Sequence, residues 1–122
     1  MSTVTISMRG KKRKERNELG TIAEDLRKEL TAEMENIRVF SRGTEGNQAV
    51  LFSGEKYFFR NNSYASLNVM LTEFDGVQTA DIVGSGGGEG LFNISWFANS
   101  DLADSAERIL QKFGFITVEE SR

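Results

Sequence analysis

The sequence predicts an α+β fold: a mostly antiparallel sheet of about five strands with two amphipathic helices packed on one face. Three observations predict it. Apolar residues alternate with period two over 3–8 and 64–74, the pattern of half-buried strands. They recur at helical spacing over 22–34 and 102–113. Between the two helical segments, short turns rich in Gly, Asn and Asp leave little room for long crossovers, so neighbouring strands run antiparallel. A chain of 122 residues is long enough to bury one core and short for two, which predicts a single domain over 1–122.

The first strand places Val4, Ile6 and Met8 on one side and Thr3, Thr5 and Ser7 on the other. Segment 9–18 follows, basic and too polar for core, and reads as an exposed loop or helix extension. A helix from about Gly20 turns Ile22, Leu26, Leu30 and Met34 to one face, and Thr21 with Glu24 has the spacing of a capping box at its start. Residues 37–40 are a short strand closed by the loop 42–47. Segments 48–52 and 56–60 are either one strand bulged at Ser53-Gly54 or two strands joined by a tight turn. In 64–74, Ala65, Leu67, Val69 and Leu71 oppose Tyr64, Ser66, Asn68, Met70 and Thr72. Asp75-Gly76 is the strongest two-residue hairpin signal and leads into a strand over 77–83.

After a glycine-rich block, Phe92, Ile94 and Trp96 alternate with Asn93 and Ser95, which predicts a strand over 91–98. Ser100 or Asp101 caps a second helix bearing Leu102, Ala106, Ile109, Leu110 and Phe113. Lys112 stands at its negative end and Gly114 in the C′ position. Ile116 and Val118 add a final strand or tuck the tail against the core.

Composition excludes much chemistry. The chain has neither Cys nor His. That removes disulfides, thiolate nucleophiles, Cys-ligated zinc, iron–sulfur clusters and the Ser-His-Asp and Cys-His arrangements. Any catalysis must run on carboxylates, Lys, Tyr or an oxygen-ligated hard metal. No cofactor is implied. No apolar run approaches the roughly 18 to 20 residues that span a bilayer, and the N-terminus lacks the basic-then-apolar order of a secretory signal. A cytoplasmic protein without membrane contact is the expectation. The net charge of −3 is uneven: residues 9–16 carry six basic groups and one acidic, which leaves roughly −8 for the remainder.

Three segments are candidates for function. Five glycines in Gly84-Ser85-Gly86-Gly87-Gly88-Glu89-Gly90 can expose consecutive N–H groups, as anion-binding nests do. Neither dinucleotide-binding nor P-loop spacing fits, and a following strand would deny the block a helix N-terminus. A flexible hairpin loop or sharply curved strand is the plainer reading. The basic patch Lys11, Lys12, Arg13, Lys14 and Arg16 could meet a polyanion, but no aromatic residue interrupts it for base stacking and the acidic remainder opposes it, which disfavours nucleic acid. A solvated segment is the plainer reading here too. Glu73, Asp75, Asp81 and Glu89 could approach one sheet edge and serve as an acid–base pair or a Mg²⁺ site, although their spacing does not demand it.

The aromatics Phe52, Tyr57, Phe58, Phe59, Tyr64, Phe92, Trp96 and Phe97 are too many to lie beneath two helices, because sequence neighbours on a strand face opposite ways. Some must cover the far face, as a ligand pocket, a homodimer surface or a second small core under the basic segment. A homodimer is the simplest arrangement.

The run Ala65-Ser66-Leu67, Val69-Met70-Leu71, Asp75-Gly76, Ile82-Val83-Gly84-Ser85-Gly86-Gly87-Gly88-Glu89-Gly90-Leu91-Phe92 and Trp96 resembles a family of small uncharacterised proteins from Gram-positive anaerobic bacteria. The similarity spans roughly residues 60–114 and rests on the Gly-Ser-Gly-Gly-Gly block followed by Leu-Phe and Trp. That family often has Gln in place of Glu89, and Gly-Ala after the Trp where this chain has Phe97-Ala98. The resemblance implies no substrate and no catalytic residue. The expectation is therefore a self-associating binding or interaction domain contacting partners through residues 84–90, Asn93 and Trp96, with a small-molecule ligand as a further partner. The alternatives are a carboxylate- or Mg²⁺-dependent enzyme and a nucleic-acid contact through the basic patch.

Overall fold

The computed structural model of the chain describes residues 2–11, 18–58, 63–86 and 94–122, with the backbone alone at 2, 58, 63 and 94–101. Its elements are β1 (Ser2–Arg9), α1 (Leu19–Glu33), β2 (Glu35–Thr44), β3 (Asn47–Phe58), β4 (Ser63–Phe74), β5 (Val77–Gly86), α2 (Ile94–Gln111) and β6 (Ile116–Ser121). The six strands form one sheet in the order β2-β3-β4-β5-β1-β6, and each neighbouring pair is antiparallel. Strands β2 to β5 are a meander. Helix α1 carries the chain from β1 to the distant edge at β2, and α2 carries it from β5 past β1 to β6.

The period-two residues lie where the alternation puts them. Val4, Ile6, Met8, Leu67, Val69, Leu71, Ala80 and Ile82 are at most 1% exposed. They share one cluster with Ile22, Leu26 and Leu30 from α1 and with Leu102, Ala103, Ala106, Ile109 and Leu110 from α2. Both helices therefore cover the same face. Asp75 (φ 53) and Gly76 (φ 78) both take positive φ, the requirement of a type I′ hairpin. Helix α2 closes as its glycine predicts: Gly114 sits at φ 87, its N–H donates to the Gln111 carbonyl at 3.0 Å, and Phe115 N–H donates to the Leu110 carbonyl at 3.2 Å, the two bonds of a Schellman motif.

Several expectations are sharpened and others corrected. The sheet has six strands, because residues 116–121 form an edge strand whose Ile116 and Val118 stay exposed, while Phe115 takes the buried place. Residues 48–58 belong to one strand, β3, paired without interruption to β4 through Ser53 and Gly54, and residues 59–60 lie outside the described residues. Gly54 serves packing: a Cβ there would lie 2.6 Å from Ile37 Cδ1. Helix α1 starts at Leu19 after Glu18 with no side-chain cap, so Thr21 and Glu24 form no capping box. Glu24 instead accepts from Arg27 at 2.7 Å. The strand expected over 91–98 is overturned from residue 94 onward, where α2 has already begun, and Ser100 and Asp101 lie inside that helix rather than at its cap. The competing period explains it: Ile94, Phe97, Ala98 and Leu102 continue the helical stripe of 102–113, and three alternating residues cannot outweigh a stripe of that length.

Candidate functional site

The far face of the sheet bears the alternate residues of each strand, and among the described residues no helix covers it. Cross-strand pairing builds its rows. Phe40, Leu51, Met70, Asp81, Ser7 and Glu119 form one row across all six strands. Its first three members are exposed at 47%, 38% and 41%, so three large apolar side chains stand side by side on β2, β3 and β4 in contact with solvent. Arg42, Ala49, Thr72 and Thr79 make the row on one side of it, and Arg38, Ser53, Asn68 and Val83 the row on the other. Ser7 Oγ donates to Asp81 Oδ1 at 2.7 Å, and the Thr72 and Thr79 hydroxyls bond to each other. The central row is therefore apolar at β2 to β4 and polar from β5 to β6.

Tyr57 and Tyr64 oppose each other at one end of this face, with ring centroids 4.8 Å apart and planes tilted by 50°. Ala65, next to Tyr64, pairs with Gly86, which brings the two rings to the end of the sheet where the glycine-rich block leaves β5. Gly84, Ser85 and Gly86 are the last residues of β5. Gly84 and Gly86 are buried on the helix-covered side, and Ser85 lies on the open side. Gly87, Gly88, Glu89, Gly90 and Asn93 lie outside the described residues, and Trp96 is placed by its backbone within α2. Of the expected aromatics, Phe52 is core at 1% exposure, and the side chains of Phe58, Phe59, Phe92, Trp96 and Phe97 lie outside the description.

The other candidates are spread out. Lys11 is exposed, its stem running beside Gly114, and Lys12, Arg13, Lys14 and Arg16 lie outside the described residues. Glu73 is buried, 9% exposed, on the helix-covered face, Asp75 is in the hairpin turn, Asp81 is on the open face, and Glu89 is outside the description. The sheet thus separates Glu73 from Asp81. Among the described residues, no group of three or more acids could hold a metal ion. A groove of about 400 Å³ runs between α1 and α2, lined by Glu29, Glu33, Arg108, Lys112, Ala32 and Ile109. Lys112 bridges it to Glu29 at 3.0 Å, and Arg108 donates to Ser105 at 3.1 Å.

The apolar row was the part that sequence reasoning missed. Met70 is read as opposite to Leu67, Val69 and Leu71, and Phe40 as a strand residue, but the two meet Leu51 only through the registers of two hairpins. No described helix is long and apolar enough to cross a membrane. The family of unknown function DUF6054 matches residues 1–114, which extends the resemblance seen over 60–114 to most of the chain. No curated protein matches.

Proposed function

The chain belongs to this family of unknown function, whose membership assigns no activity, and we propose from the chain's own residues that it is a binding or interaction domain that self-associates rather than an enzyme. The observation that carries the reading is the row Phe40, Leu51 and Met70 on the uncovered sheet face. Single exposed apolar residues are ordinary, but neighbouring ones on a flat strand surface gain roughly 25 cal/mol for each Å² of apolar area withdrawn from water. Light scattering behind size-exclusion chromatography tests it over a concentration series. A two-chain mass that dissociates on dilution is expected, and a one-chain mass at every concentration overturns the reading.

A small-ligand contact at the block 84–90 with Asn93 and Trp96 is a second reading. It is favoured by position: β5 ends at Gly86 and α2 begins at Ile94, so the glycines join a strand to a helix, the connection in which backbone N–H groups can converge on an anion. A ligand bound only by the native state raises the thermal midpoint. Inorganic phosphate and adenine nucleotides are the probes, and an unchanged midpoint with all of them removes this second reading.

A further inference from the structure

We infer that the second copy docks on the open face about a two-fold axis that runs close to the direction of β3 at Leu51. The inference rests on the self-association proposed above and adds its geometry. A two-fold dimer brings the same patch of both chains together, and stacking two sheets with their strands nearly aligned puts the axis either close to the strand direction or close to the perpendicular across it. Along β3, it sets Leu51 on Leu51 and Phe40 on Met70 of the second copy, which closes the apolar row upon itself. Arg38 and Arg42 then face Asn68 and Thr72, two hydrogen-bonding side chains. Both arginines also arrive one strand away from Asp81, whose row lies between theirs.

Across the strands, the same apolar row still meets itself, but Arg38 faces Arg42 and Asp81 faces Asp81. Like charges brought together between two sheets about 10 Å apart repel in a partly dehydrated space. The charge pattern therefore selects the axis along β3. Glu55, two rows from Leu51 on the same strand, would approach its own copy in perfectly aligned sheets. Stacked sheets cross at about 30°, which sets the axis about 15° off β3 and carries positions that far from Leu51 apart sideways.

The chain contains no cysteine, so single-cysteine variants report the axis directly. Ala49→Cys and Ser53→Cys are the choice, since both positions flank Leu51 on β3 and leave the apolar row intact. The axis along β3 sets each of these positions opposite itself, whereas the crossed axis sets one opposite the other. With a short bis-maleimide linker, the expected result is that each variant links to itself and an equal mixture gains no additional mixed product. Linking only in the mixture, or no linking in samples that retain the two-chain mass, overturns this geometry and leaves self-association standing. A one-chain mass for the unmodified protein removes both. Near-ultraviolet circular dichroism equal to that of the parent shows that each variant is folded.

Discussion

The two faces of the sheet are made from the same strands yet obey different rules. On the covered face, Leu67, Val69, Leu71 and Ile82 are at most 1% exposed and belong to one cluster with both helices. On the open face, Leu51 on β3 and Met70 on β4 remain 38% and 41% exposed. Strand alternation assigns a residue to a face, and only the helices decide which of the two faces is core. Apolar character alone does not separate Leu67 from Leu51.

The largest expected effect breaks or upholds that comparison. Leu67→Ala removes a fully buried side chain and should lower unfolding stability by about 2–5 kcal/mol. Leu51→Ala, measured at a dilution where chains are single, should change it by no more than about 0.5 kcal/mol. Urea denaturation of both variants reads the difference, and equal losses would mean that the open face is core after all. Gly54→Ala gives a smaller effect and sharpens the account of the covered face. Its new methyl meets Ile37 Cδ1 at 2.6 Å and Met34 Cε at 3.1 Å, ends of flexible side chains, so a loss of about 1 kcal/mol is expected in the same assay.

The smallest effect lies on the outer surface of the helix layer. The hydrogen bond from Arg27, with its charge, holds the Glu24 carboxyl below its ordinary pKa. A carboxyl depressed on folding adds stability above its unfolded pKa and loses it as pH falls through the folded value. The parent should thus lose slightly more stability than Glu24→Gln between neutral pH and the acid end of the carboxylate range. Denaturation midpoints of the two across that range check it, and parallel curves would show that the pair is fully screened.

Much of the covered face was legible in the sequence. The alternation at Val4, Ile6 and Met8 and at 64–74, the stripe at 102–113 and Gly114 each fix a local geometry that tertiary contacts then respect. The start of α2 was not, because residues 92–96 fit both periods over so short a span. The separation of Glu73 from Asp81 was legible in principle: the Asp75-Gly76 turn pairs Glu73 with Gln78, and an odd step from Gln78 to Asp81 changes the face. The patch of Phe40, Leu51 and Met70 was not, since its members lie far apart in the chain and meet through registers that the sequence leaves open at Ser53-Gly54.

The position of β1 between β5 and β6 also bears on how the chain is made. A ribosome releases β1 first, yet neither of its neighbours exists until β5 and then β6 emerge. The meander β2 to β5 can pair hairpin by hairpin as it appears, while Val4, Ile6 and Met8 wait in water. Completion of the sheet is thus a late, long-range event in synthesis, and until it happens the apolar side of β1 has no strand beside it.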